Sequence, residues 1–269
     1  MHHATGGPPH GSTADRAALQ VQRLSWAGIR VVLGNTSLVL DAWTNTAAWD
    51  GLWTEPVAPV ESDYKSRIAL ITNVLNDHFD PVAVRAAIGP RGAVICHDAV
   101  APLVAGEGFR TRPVKLYEPL IVGDSDGPDL TIAAVPSVDG FGEDQVMWIV
   151  TGGGRRILHA GDAMWNGMWL KFGRQYGPFD AVFLPINGLL FNVRKPYSGI
   201  PATLTPEQAV AAALLLNAKR ICPIHYGISD PGYYLEHPHA LETFLTSARE
   251  HGIATEVLKP GEWMSWQAT

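Results

Sequence analysis

The loop Ile71-Thr-Asn-Val-Leu-Asn-Asp-His-Phe-Asp80 sets a carboxylate and an imidazole side by side, at Asp77 and His78. Such side chains hold divalent cations or move protons near neutral pH. The loop lies between an apolar run, Ile68-Ala-Leu-Ile71, that reads as a buried strand, and the helical pattern Pro81-Val-Ala-Val-Arg-Ala-Ala87. Asp80 is placed as the N-cap of that helix and Pro81 as its first residue. A strand end that feeds a helix start is where α/β folds put their chemistry. Two later strand ends carry the same residue types. Arg156-Ile-Leu-His159 runs into Gly161-Asp162, and Arg220-Ile-Cys-Pro-Ile224 delivers His225.

The elements that must position these residues begin near Leu24. Leu24-Ser-Trp26, Ile29-Arg-Val-Val-Leu33 and Ser37-Leu-Val-Leu40 read as strands, with Gly34-Asn35 as a hairpin turn and Asp41 closing the hairpin. Residues 42–64 hold Trp43, Trp49 and Trp53 with two prolines and little periodicity. That stretch is an extended loop, and its tryptophans are either a satellite core or the wall of a substrate pocket. Ala93-Val-Ile-Cys96 is a further strand, and His97 after it reads as a surface or capping residue. The second half repeats the theme with strands at Leu130–Val135, Gln145–Val150, Arg156–His159, Ala181–Leu184 and Ala254–Leu258. Thr205-Pro-Glu-Gln208 is a capping box that opens an Ala-rich helix to about Ala218, and a last helix spans Glu236 to Glu250. Two strand-rich halves with helices outside predict one α/β domain, a four-layer αββα sandwich over residues 19–269. Residues 1–18, rich in Gly, Pro and His, are expected to be a disordered tail, and His2, His3 and His10 belong to it rather than to a site.

Composition excludes several functions. The chain has 269 residues and a formal charge of -6, without a Lys/Arg cluster, so a nucleic-acid backbone is not its partner. No apolar stretch approaches the roughly 20 residues of a membrane span, and the N-terminus lacks the apolar centre of a signal peptide. Cys96 and Cys222 both sit in apolar runs, which fits two buried thiols in a reducing compartment. The expectation is a cytoplasmic enzyme acting on a small molecule. Abundant Ala and Gly, with Arg over Lys, point to a bacterial source.

The loop resembles the T-H-x-H-x-D-H signature of the metallo-β-lactamase superfamily, with Thr72 and Asp77-His78 in register. Ile157-Leu-His-Ala-Gly-Asp-Ala163 resembles that family's strand-end G-D element, and Cys222-Pro-Ile-His-Tyr-Gly227 its late P-x-H-Y element. Phe179-Asp-Ala-Val-Phe-Leu-Pro-Ile-Asn-Gly188, followed by Thr205-Pro-Glu-Gln-Ala209, resembles the branch that contains L-ascorbate-6-phosphate lactonase. Four motifs in the right order are far more specific than any one. The resemblance implies a second metal site built from Asp77, His78, Asp162 and His225, all present here. It also implies a first site at which this chain departs from the pattern, since Asn73, Leu75 and Asp139 occupy the three histidine positions. Leucine cannot ligate and a neutral amide is a feeble ligand, so site one is expected to hold no metal.

The implied activity is hydrolysis of a small, partly apolar molecule by one divalent metal: zinc, or equally manganese or iron, which softness does not separate. Asp139 and His159 are the candidate catalytic residues, Asp139 as general base. A buried, satisfied strand histidine is the competing reading of His159. Asn73, Leu75, Trp43, Trp49, Trp53 and Arg194 are expected to line the substrate, although Arg194 and Lys195 read equally as solvated loop charge. By the same resemblance Asp41 is a supporting residue that orients the loop backbone. Two alternatives stay open: an inactive relative that binds a ligand through the same cleft, and non-hydrolytic chemistry, lyase or non-haem iron, at the same residues.

Overall fold

The computed structural model describes residues 18–49, 51–191, 195, 197–230 and 232–266. The expected tail lies outside them except for its last residue, and Arg194 lies outside them as well. The first sheet has six strands in chain order: β1 (Gln20–Arg23), β2 (Ile29–Leu33), β3 (Thr36–Leu40), β4 (Ser66–Leu70), β5 (Ala93–His97) and β6 (Thr111–Val114). Its first three strands are an antiparallel meander, and β3 to β6 run parallel. The second sheet repeats this division. An antiparallel meander of β7 (Leu120–Val122), β8 (Leu130–Pro136), β9 (Val146–Gly152) and β10 (Arg155–His159) continues into parallel β11 (Ala181–Pro185), β13 (Arg220–Ile224) and β15 (Ala254–Thr255). A small antiparallel pair, β12 (Leu190–Phe191) with β14 (Tyr234–Leu235), stands apart from both.

Alternation along the strands assigns the layers. Leu38 and Leu40 face Ile132, Val150, Ile157 and Phe183 in one cluster between the sheets. Val39, Ala69 and Val94, one residue out of phase, pack with Val84, Ala87 and Ile88 of α1 (Pro81–Ile88) and with Val104 of α2 (Ala101–Gly106). Ile149, Leu158 and Val182 turn the other way, toward Trp169 and Phe172 of α3 (Trp169–Tyr176), Val210 of α4 (Pro206–Leu215) and Phe244 of α5 (Ala240–Glu250). The result is the αββα sandwich read from the sequence. Both faces of its strands are covered, which is why the strands read as continuous apolar runs rather than as alternating ones.

The local signals at two helix starts hold. Asp80 Oδ1 accepts from the amides of Val82 and Ala83, while its Oδ2 takes the Thr44 amide at 2.9 Å. Thr205 and Gln208 form a reciprocal capping box. Three other readings need correction. Leu24-Ser-Trp26 is not strand: Leu24 N–H donates to Gly28 O and Gly28 N–H to Ser25 O, which closes a turn with Trp26 in the left-handed region at φ 56°. A Cβ on Gly28 would lie 2.8 Å from the Asp41 carbonyl, so this turn has no room for any other residue. The last helix begins at Ala240 rather than Glu236, because Tyr234–Leu235 is spent in β14 and Pro238 follows. Strand pairing ends at Thr255, after which Glu256 turns to Arg220. No helix among the described residues is long and apolar enough to cross a membrane.

Candidate metal centre

The parallel halves of the two sheets bring their C-terminal ends to one edge. From the first sheet, β3 ends at Asp41 and β4 runs into the loop of Asp77 and His78. From the second, β10 leads to Asp162 and β13 to His225. Cross-sheet hydrogen bonds lock this edge, Val146 N–H to Thr72 O at 2.9 Å and Trp148 Nε1–H to Ile71 O at 2.9 Å. Gly161 passes so near Thr72 that a Cβ would meet its Oγ1 at 2.7 Å, and it adopts φ +59°. Glycine there is what lets Asp162 approach the loop from the opposite sheet.

Asp41 is the anchor. It is fully buried; its Oδ1 takes the Thr72 amide at 2.9 Å, and its Oδ2 takes the Thr72 hydroxyl at 2.7 Å and His78 Nδ1 at 2.9 Å. That contact fixes the proton of His78 on Nδ1 and leaves Nε2 to face the centre. There, His78 Nε2 lies 3.1 Å from His225 Nε2 and 3.7 Å from both Asp77 Oδ2 and Asp162 Oδ2. His225 Nε2 is 3.5 Å from Asp77 Oδ2. Ligands about 2.1 Å from a tetrahedral ion stand about 3.4 Å apart, so these separations match one cation bound in common. Asp77, His78 and His225 each offer an atom within 4.8 Å of the others; Asp162 lies outside that group of three, with its Oδ2 3.7 Å from His78 Nε2.

The electrostatics favour a cation. Burial opposes charge on His78, yet the carboxylates of Asp162, Asp77 and Asp41 outweigh it and push the ring up to about 10. Burial lifts Asp162 to about 7, and Asp77, Asp139 and Asp41 add to the rise against the pull of His78. Asp77 goes the other way: burial would raise it, but His78 and His225 hold it well below the ordinary carboxylate range. Burial depresses His225, which stays neutral. Two imidazoles at 3.1 Å cannot both present lone pairs across a gap, so either a proton or a metal ion must lie between them.

At the positions expected to be site one, Asn73 is fully buried and every polar atom of its amide is engaged. Its Nδ2 donates to Asp162 Oδ1 at 3.1 Å and to Gln145 Oε1 at 3.2 Å, and its Oδ1 takes the Leu75 amide at 2.9 Å. Gln145 passes the chain on to Ser137 Oγ at 3.1 Å. Sequence reasoning missed Gln145, which immediately precedes β9 and read only as the polar start of a strand. Asp139 is 4% exposed, and its Oδ1 caps its own turn through the amides of Phe141 and Gly142, whereas its Oδ2 is buried without a partner.

Other expected residues fall differently. His159 Nε2–H donates to Ala27 O at 2.8 Å, and its Nδ1 is buried 3.9 Å from Asp41 Oδ2. Neither nitrogen is open to a substrate, because one is spent and the other enclosed. Trp43 and Trp53 pack edge to face at 5.5 Å inside the main core and do not wall a pocket. Trp49 is half-buried against Tyr234 at 4.9 Å. Leu75 is half-buried beside Asn73. The tryptophan nearest the centre is Trp26. Its Nε1–H donates to Asp77 Oδ2 at 3.2 Å and its ring lies 4.3 Å from that of His225. Only the turn at Gly28 brings it there, and a strand reading hid it.

The family profile described as a beta-lactamase superfamily domain matches residues 36–226. A protein of Thermus thermophilus named as a metal-dependent hydrolase is 27% identical over 91% of this chain and 97% of its own length. Among solved structures, a metallo hydrolase of Ignicoccus hospitalis superposes with a TM-score of 0.69 at 19% identity, covering 93% of this chain and 99% of that one. An isothiocyanate hydrolase from Delia radicum gut bacteria gives 0.65 at 20% identity, with 91% and 98% covered. At such identities the structural likeness speaks for the fold.

Proposed function

The chain belongs to the beta-lactamase superfamily, and from that premise we propose that it is a metal-dependent hydrolase of a small molecule, with one divalent ion held by Asp77, His78, Asp162 and His225. The observation that carries the reading is the pair of imidazole Nε2 atoms 3.1 Å apart, ringed by carboxylates at metal-ligand spacing. Two nitrogen and two oxygen donors suit zinc, and manganese or iron fit the same set. Bound there, the ion supplies Lewis acidity to a carbonyl or phosphoryl oxygen or to a water.

The protein's own groups divide the rest of the work. Asp41 orients His78, and the buried His159 supports Asp41 from a distance of 3.9 Å. Asn73 and Gln145 fill the position of a second ion with a neutral amide pair that holds Asp162 Oδ1, which supports a mononuclear centre. Asp139 Oδ2, buried and without a partner, is the oxygen we assign as general base. A net charge of -6 argues for a small substrate over a polyanion. Cys96 and Cys222, both free and buried, support a reducing, cytoplasmic setting.

Metal analysis of protein lacking residues 1–15, whose histidines would bind metal on their own, tests the reading. About one equivalent per chain is expected. His225→Ala should abolish it, whereas Asn73→Ala should weaken affinity yet leave the stoichiometry at one. A wild-type chain without stoichiometric metal, or equal losses in the two variants, would refute the assignment.

A further inference from the structure

Between the strands that deliver Asp162 and His225 lies β11, parallel to both, with Phe183 paired to His159 on one side and Pro185 to Ile224 on the other. Its C-terminal continuation carries Asn187, fully buried, to the same edge. A directed series of hydrogen bonds converges on this amide. Leu189 N–H donates to Thr203 Oγ1 at 2.9 Å, and the Thr203 hydroxyl, with one proton to give, donates to Asn187 Oδ1 at 2.7 Å. Asn187 Nδ2–H then donates to the phenol oxygen of Tyr234 at 3.0 Å. Reversing the amide would give Thr203 Oγ1 two donors and strand its own proton. In the orientation observed, the unspent proton is that of Tyr234, whose O–H has no acceptor among the described residues. Tyr234 is 4% exposed, and a buried donor left unused requires an explanation.

The ring is fixed from its other side as well. Tyr234 packs edge to face on Trp49 at 4.9 Å, Trp49 lies 5.8 Å from Trp26, and Trp26 contacts both His225 and Asp77. Burial, with Asp77 and Asp162 adding to it, holds the phenol well above its ordinary range, so the proton stays on the oxygen. We propose that Tyr234 is a catalytic residue of this centre, its O–H donating a hydrogen bond to the oxygen on which negative charge develops in the substrate. Thr203 and Asn187 are the positioning residues that aim it. A donor fixed in advance beside a developing oxyanion requires no reorganisation during reaction. The assignment rests on the metal centre described above, and it implies a substrate whose reacting group passes through an oxyanion, a carbonyl or phosphoryl derivative.

The test uses Co²⁺-loaded full-length protein and inorganic phosphate as the oxyanion, followed by the visible absorption of the ion. Tyr234→Phe should retain as much Co²⁺ as the wild type and bind phosphate about tenfold or more weakly, the loss expected for a hydrogen bond to a charged acceptor. Thr203→Val, which frees the amide to reverse, should weaken phosphate by a smaller factor. Equal phosphate affinity in Tyr234→Phe and wild type would overturn the proposal, as would a Co²⁺-loaded wild type that binds no phosphate. A Tyr234→Phe protein that loses its Co²⁺ assigns the tyrosine to holding the ligands and overturns the donor role too. Failure of the wild type to bind Co²⁺ refutes the metal reading itself, a result distinct from the others.

Discussion

Asp41→Asn changes one atom in a fully buried side chain and should cost the centre most of its affinity for metal. The native carboxylate accepts three hydrogen bonds, two from Thr72 and one from His78 Nδ1. An asparagine has a single acceptor oxygen, so its NH2 group must meet at least one of those donors. If the amide oxygen stays with Thr72 N–H, the NH2 faces both the Thr72 hydroxyl and His78 Nδ1. The hydroxyl can rotate to accept; the imidazole must shift its proton to Nε2, the atom that faces the centre. Loss of a carboxylate behind a ligating histidine lowers metal affinity about 10- to 100-fold, or about 1.4–2.7 kcal/mol. One mispaired buried donor costs about 1–3 kcal/mol by the independent hydrogen-bond estimate. The two figures agree. Competition for Zn²⁺ against a chelator of known affinity measures the effect, and thermal unfolding with and without zinc separates it from a general loss of stability. The variant should show a smaller zinc-induced rise in Tm than wild type. If Asp41→Asn binds zinc as tightly as wild type, the tautomer argument is wrong.

Proton release on metal binding should depend on pH in a defined direction. The His78 ring, raised to about 10, and the Asp162 carboxyl, raised to about 7, must both give up protons to an ion. Uptake therefore releases about two protons at pH 5.5 and about one at pH 8.5, so affinity climbs with pH; an indicator titration showing release that is flat or rising with pH would contradict it. Gly161→Ala should lower stability by about 1–3 kcal/mol, because the new Cβ meets Thr72 Oγ1 at 2.7 Å at a φ of +59°, and chemical denaturation reads it directly. Trp26→Phe removes the donor to Asp77 Oδ2, so zinc affinity should fall by about tenfold, in addition to the lower Tm that the smaller ring's cavity in the core brings. An unchanged chelator competition would show that the indole N–H does not orient Asp77.

The strands, the sandwich and the four central residues were legible because each rests on a local signal that survives folding. An apolar run buried on both faces, a capping residue beside a proline, or an Asp-His pair at a strand end reads the same in sequence as in three dimensions. Asp80, Thr205 and the Gly34-Asn35 turn belong to this group. The residues that escaped notice have roles set by long-range pairing. Gln145 reads as the polar start of a strand, yet the pairing of β8 with β9 carries it to an asparagine 72 positions earlier in the chain. Trp26 reads as strand because aromatic and apolar residues favour strands, whereas Gly28 forces a turn and sends the indole to the centre. Tyr234 and Asn187 lie 47 residues apart and are joined by a side-chain hydrogen bond that no spacing rule foretells. The tryptophans of residues 42–64 show the opposite error. Their density looked like a pocket wall, but two of the three fill the space between the sheets, where the side chain from the turn at residue 26 also packs. The residues proposed as ligands are thus written locally in this chain, while the groups that orient them, and the phenol assigned to the substrate, are written in the topology.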